Sequence, residues 1–142
     1  MNRSDRAAAV IECQQALNRF YAALDASDFE TVGASMAPQG IWHRQGQQLC
    51  GPAQVREALA KRPVGRVTAH LVQNLVVNVT APDLAEATYM TLVYRVDLPQ
   101  PPSGPVPLET PFAISLNHAR LQGGADGVWR LLEQRSEYVF SK

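Results

Sequence analysis

Apolar residues near the start of the chain recur at helical spacing. From Ser4 to Leu24, the positions Val10, Cys13, Leu17, Phe20 or Tyr21, and Leu24 form one stripe, with Arg3, Arg6, Glu12, Gln15 and Arg19 opposite. A stripe of this period predicts an amphipathic helix that needs a surface to pack against. The stretch "SDFE" then predicts a second helix. Ser27 can cap its backbone and Glu30 can reach back as a capping box, with Phe29, Val32 and Met36 on the buried side and Pro38 and Gly40 ending it. In "GIWHRQGQQLCG" the polar and apolar positions suit two short strands around a turn at Gln45 to Gln47. Pro52 opens a third helix that buries Val55, Ala58 and Leu59 and is closed by Pro63.

After Gly65 the pattern changes. Four β-rich runs follow, Arg66 to Thr80, Ala85 to Leu98, Phe112 to Gln122 and Val128 to Phe140, separated by "APD", a proline-rich stretch and "GGADG". They predict a long antiparallel meander. Six of the ten prolines lie between residues 99 and 111, a segment that cannot supply ladder donors. It is expected to be an ordered loop or a flap near a cavity mouth or a dimer edge, less ordered than the strands it joins. Three helices followed by a long sheet give an α+β fold, a cone-shaped α+β barrel whose strongly bent, mostly antiparallel sheet wraps the helices. Such a cone leaves a cavity between the first helix and the concave face, and polar residues pointing there become candidates for chemistry.

Size and charge narrow the class. A chain of 142 residues predicts one domain, residues 1–142, with room for a core and a pocket. Thirteen basic and thirteen acidic residues cancel without a run of either sign, which gives no footprint for nucleic acid or an anionic membrane. No apolar run approaches the roughly 20 residues that span a bilayer, so a soluble chain of cytoplasmic location is expected. Cys13 and Cys50 lack metal-ligand spacing and are expected to be reduced packing residues; no metal site and no cofactor is predicted.

The run "VGRVTAHLVQNLVVNV" places one imidazole, His70, among aliphatic neighbours. A lone strand histidine commonly serves as a hydrogen-bonded core or interface residue. It also has the unperturbed pKa nearest physiological pH, which suits proton transfer. Strict alternation puts Val67, Ala69, Leu71, Leu75, Val77 and Val79 on one face and His70 with Thr68, Val72, Asn74 and Asn78 on the other. Either the second face lines a pocket near its mouth, or a bulge resets the register. His118 is expected at an interface or in solvent, Trp129 as a packing anchor, and Asp28 as first-turn charge.

The order of "YAALDASDFETV", "APQGIWHR", "GPAQVREAL", "TAHLVQN" and "DGVWRL" resembles the nuclear transport factor 2-like superfamily, and within it the SnoaL-like branch that includes scytalone dehydratase, polyketide cyclases and a dehydrochlorinase. The resemblance covers residues from about 10 to 136. It implies a catalytic pair, with Asp25 matching the aspartate after the first helix and His70 the strand histidine in a Thr-x-His context. His43 stands where scytalone dehydratase has a water-orienting tyrosine, and Asn117 matches its pocket asparagine. Leu24 replaces the tyrosine before the aspartate, and no second histidine occurs around Tyr94 to Asp97. What remains is the Asp/His pair, which the resembling dehydrochlorinase uses as orienter and base.

In such a pair the carboxylate fixes the imidazole tautomer and stabilises the imidazolium. Tyr21, Trp42 and Tyr94 read as core residues that can also line an apolar pocket. Two functions from different classes follow. One is a small cofactor-independent lyase or isomerase that abstracts a proton from a cyclic or aromatic, carbonyl-bearing molecule. The other is a non-catalytic binding or assembly module like the dioxygenase small subunits. In either case a homodimer is expected, joined through the convex sheet face that the helices leave uncovered. A pocket-facing pair is not expected to hold the core together.

Overall fold

The computed structural model describes residues 1–142. Helix α1 spans Arg3–Asp25, and Asn2 caps it by accepting the Asp5 N–H. The predicted stripe is its buried face, made of Cys13, Leu17, Phe20, Tyr21 and Leu24. Helix α2, Phe29–Ala34, is shorter than expected. Its cap is Asp28, whose side chain accepts the Thr31 N–H, whereas Ser27 adopts a left-handed φ of 56° in the link between the helices. The expected Ser27–Glu30 box is therefore corrected by one position. Asp28 competes successfully because its carboxylate accepts from both the backbone and the hydroxyl of Thr31.

Pro38 and Gly40 do not end a helix either. They lie within β1, Met36–Arg44, where the pairing with the last strand shifts register between Met36 and Ile41. Proline is accommodated at such irregularities, where a ladder donor is not required. Strand β2, Gln47–Cys50, returns after a two-residue turn in which Gln45 and Gly46 both have positive φ, the geometry that suits a tight hairpin. Helix α3, Gly51–Ala60, buries Val55 and Leu59.

The remaining strands are β3 (Arg66–Ala81), β4 (Leu84–Asp97), β5 (Ala113–Gly123) and β6 (Trp129–Ser141). They form the predicted antiparallel meander, while β6 also pairs with β1 in parallel, giving one six-stranded sheet in the order β2-β1-β6-β5-β4-β3. The parallel pair was not legible in the meander pattern. The sheet is mixed and does not close, since β2 and β3 are its two edges. It retains the cone-shaped α+β architecture, with α1 lying across β3 and β6.

The inward faces of β4 and β5 change character along their length. Ala85, Ala87 and Ala119 are small and buried with α1 in the core cluster of 21 residues. Small side chains there allow the helix to lie close to the sheet. Towards the end of α1 the inward residues become Thr91, Val93 and Arg95 on β4 and Ala113, Ser115 and Asn117 on β5, and these line a cavity.

Strand β3 explains how His70 faces that cavity. Its pairing with β4 shifts between Gln73 and Val76, and Asn74 at the shift has φ 55°. Before it, Thr68 and His70 face inward as cavity residues. After it, Leu75, Val77 and Val79 pack with the core. One extra residue inverts the alternation, so the strand presents polar chemistry at one end and apolar core at the other. No helix is long and apolar enough to cross a membrane.

Candidate active site

The cavity has a volume of about 380 Å³ and is bounded by α1, β1 and the ends of β3 to β6. Asp25 is the last residue of α1, and its carboxylate reaches β3. Oδ1 accepts the Nδ1–H of His70 at 2.6 Å and the hydroxyl of Thr68 at 2.8 Å, while Oδ2 accepts the backbone N–H of His70 at 2.7 Å. Because β3 is an edge strand, alternate amides lack a ladder partner, and Asp25 satisfies one of them. Burial acts to raise the Asp25 carboxyl, but the hydrogen bonds from His70 and Thr68 outweigh it and hold the group below the usual aspartate range.

An ionised carboxylate only accepts, so Nδ1 of His70 carries a proton. In the neutral ring this leaves Nε2 as the basic nitrogen. His70 lines the cavity, and Nε2 makes no hydrogen bond to the protein. The phenyl ring of Tyr21 lies against the imidazole with ring centroids 5.3 Å apart. The pair also bridges α1 to β3, so the expectation that it does not hold the fold is corrected for Asp25, which fastens the helix end to the strand.

Tyr21 belongs to a closed polar triangle. Tyr89 donates to Gln134 Oε1 at 2.8 Å, Gln134 Nε2 donates to the Tyr21 oxygen at 3.1 Å, and the two phenol oxygens are 2.8 Å apart. With the Tyr89 proton already committed, Tyr21 is the donor to Tyr89. Burial raises both phenols well above the ordinary tyrosine range. Tyr21 is thus a wall of the cavity whose hydroxyl is occupied. Tyr89 and Gln134 were not singled out by sequence; the inward parity of β4 was the signal that could have found Tyr89.

Asn117 lies on the cavity floor, 1% exposed. Its amide donates to Thr91 Oγ1 at 3.1 Å and its oxygen accepts from Ser136 Oγ at 2.5 Å. With these partners it orients the hydroxyl-bearing side chains around it. His43 also lines the cavity, and its Nε2 lies 3.0 Å from Glu133. Hydrogen bonds from Arg135 and then His43 hold the Glu133 carboxyl below its usual range, so this second imidazole is likewise oriented by a carboxylate. Trp42 contributes an apolar wall.

Tyr94 is elsewhere. On β4 it has the parity opposite to Thr91, Val93 and Arg95, and it lines a separate groove of about 220 Å³ with Val67, Ala69 and the Val106–Glu109 part of the proline-rich loop. Its proposed substrate contact is therefore corrected, while the loop segment lies at this groove, which shares Thr68 and Arg95 with the lining of the cavity. Asn74 is exposed at the bulge, and His118 is exposed on the outer face, 3.8 Å from Glu137. No group of three or more His, Cys, Asp or Glu side chains is arranged to hold a metal ion.

The fold and this cavity define a member of a known family: a SnoaL-like domain model matches residues 5–135, and the chain belongs to that family. No curated protein sequence matches it. Among solved structures it is similar to ActVI-ORFA from Streptomyces coelicolor, with 18% identity over 91% of this chain and 96% of that one and a TM-score of 0.75. A protein from Catenulispora acidiphila, solved in complex with S-DNPA, is 23% identical over 93% of this chain and 94% of that one, with a TM-score of 0.71. The hexachlorocyclohexane dehydrochlorinase LinA-type3 from Novosphingobium barchaimii has 13% identity over 99% and 93% of the two chains and a TM-score of 0.79. These likenesses establish the shared fold.

Proposed function

We propose that this chain is a small cofactor-independent lyase or isomerase in which His70, oriented by Asp25, abstracts a proton next to the carbonyl of a cyclic or aromatic small molecule. The observation that carries the proposal is the 2.6 Å contact between His70 Nδ1 and Asp25 Oδ1, with the other ring nitrogen left for the cavity. Nε2 takes the proton as the C–H electron pair moves into the enolate. The imidazolium then returns the proton, to a departing β-hydroxyl in a dehydration or to another carbon in an isomerisation. Asp25 stabilises the cation meanwhile. His43 lies on the cavity wall with its Nε2–H given to Glu133, so only its imidazolium form, through Nδ1–H, can polarise the carbonyl. A dehydrochlorinase and a small-molecule complex among the similar structures support this reading.

Exchange of the α-protons of 2-tetralone in deuterated buffer, followed by proton NMR, tests it. The wild type should accelerate exchange, and His70→Gln should lose most of the acceleration, on the order of 10²–10⁴-fold. Equal rates for the two proteins would remove His70 as the base.

The same proposal takes the protein to be a homodimer. Leu71 and Val76 stand on the outer face of β3 with 45% and 54% exposure. A biological contact there should bury more than roughly 1,000 Å² in total. Light scattering that gives a monomer at micromolar concentration would contradict it.

A further inference from the structure

The thirteen basic residues are spread along the sequence, yet four arginines converge on the cavity. Arg44 comes from the end of β1, Arg62 from the link after α3, Arg66 from the start of β3 and Arg95 from β4. Two carboxylates accompany them. Asp97 is shared between Arg66, at 2.7 Å, and Arg95, at 2.8 Å. Asp25 is engaged by His70 and Thr68 and connects to Arg62 through the Thr68 hydroxyl, which accepts from Arg62 Nη2 at 2.6 Å.

Arg44 has no carboxylate partner. Its side chain hydrogen-bonds only Gln45, at 3.4 Å, and its guanidinium lies 5.4 Å from the centre of the Trp42 ring. Arg62 donates to the Leu24 carbonyl at 3.2 Å and to Thr68, but its Nε is buried without any partner. Burial, followed by repulsion from Arg62 and Arg66, holds Arg44 below the ordinary arginine range. Burial is also the main cause depressing Arg62, with Arg66 and Arg95 adding and Asp25 opposing. Clustered guanidiniums in a partly desolvated site repel one another, and a bound anion relieves that repulsion.

Resting on the proposed function, we infer that the substrate of this cavity carries a carboxylate, seated between Arg44 and Arg62, with its ring system against Trp42 and Tyr21 and within reach of His70. The planar guanidinium fork matches a carboxylate in two parallel hydrogen bonds. Arg62 stands three hydrogen bonds away from the His70 ring through Thr68 and Asp25, so an anchored carboxylate fixes the adjacent ring relative to Nε2. The aromatic walls and the volume of about 380 Å³ suit a fused-ring acid better than a bare inorganic anion.

Calorimetric titration of the intact protein with 2-naphthoate and with 2-naphthamide tests the inference. The acid should bind about tenfold tighter than the amide, and the preference should fall as salt is raised to about 0.5 M. Arg44→Gln, which removes the weak Gln45 bond and the guanidinium's contact with the Trp42 ring but no carboxylate pairing, should lose most of the preference while melting close to the wild type. Arg62→Gln should lose it too, and Arg62→Lys should restore part of it. Equal affinity for acid and amide, no binding of either at millimolar concentration, a preference that survives both glutamine variants, or displacement of 2-naphthoate by equimolar inorganic phosphate would each overturn the inference. His70→Gln separates the two proposals. It should keep the acid preference while losing proton exchange; exchange without an acid preference would sink only the carboxylate site, and an acid preference without exchange would sink only the catalytic reading.

Discussion

Asp25 holds His70 at two points, accepting its ring Nδ1–H at 2.6 Å and its backbone N–H at 2.7 Å on different carboxylate oxygens. The same carboxylate therefore sets the tautomer of the imidazole and the position of the strand that carries it. The two mutations of the pair should consequently differ. Asp25→Asn replaces an acceptor of three hydrogen bonds and should cost about 1–3 kcal/mol in stability. His70→Gln keeps the backbone and Thr68 bonds and should cost less. Each should remove most turnover on a proven substrate, and the double mutant should be little worse than either. Urea denaturation and steady-state rates of the four proteins check this; strictly additive losses in rate would show that the residues act separately.

Acid should expose the Asp25 contribution directly. Its carboxyl is held below the aspartate range in the folded protein, so the unfolded chain binds its proton first as pH falls. The stabilisation is fully present above the unfolded value of about 3.9 and is lost as pH falls through the lower folded value. The stability gap between wild type and Asp25→Asn should therefore be constant near neutrality and narrow below about pH 4. Asp97, pushed down to about 2 by hydrogen bonds from Arg95 and Arg66, loses its share over the same acid range, so Asp97→Asn is the control. A gap that widens in acid would reverse the assigned direction.

Much of this arrangement was legible in residue patterns. The α1 stripe, the third helix and the four long strands follow from apolar periodicity because each buries one face. The parallel pairing of β1 with β6 was not, since no local pattern encodes which distant strand fills a sheet position. The site divides in the same way. Asp25 and His70 followed from a family resemblance, whereas Arg44, Arg62, Arg66 and Arg95 converge only in three dimensions and look evenly spread in sequence. Tyr94 was misplaced because an aromatic residue on a strand near the cavity does not reveal its parity.

The bulge at Asn74 is where strict alternation misled most, and it makes a sharp prediction. Its φ of 55° is tolerated by asparagine and glycine but costs a β-branched residue about 1–3 kcal/mol. Asn74→Gly should be near neutral and Asn74→Val clearly destabilising, by chemical denaturation. Deleting Asn74 should be tolerated, because removing the extra residue leaves regular alternation with Thr68, His70, Val77 and Val79 all still facing inward. Inserting one more residue there should instead be strongly destabilising, since Val77 and Val79 could then face the core only if His70 and Thr68 turned outward. An insertion variant that folds with wild-type stability would show that the register is set elsewhere.

Tyr21 offers the test that separates a wall from an acid. Its ring touches His70, which makes it an attractive proton donor by position alone. The hydrogen-bond triangle argues otherwise: its own proton is given to Tyr89, its oxygen accepts from Gln134, and burial raises the phenol far above neutrality. Donation to a substrate would have to break that closed set. Tyr21→Phe keeps the ring against the imidazole and removes the hydroxyl, leaving Tyr89 and Gln134 each short of a buried partner. The expected loss is about 1–3 kcal/mol in stability, a melting midpoint lower by several degrees, and less than about tenfold in rate, well short of the 10²–10⁴ carried by a general acid. A variant that melts like the wild type but has lost several hundredfold in kcat would identify Tyr21 as the proton donor and move His43 out of the carbonyl-polarising role.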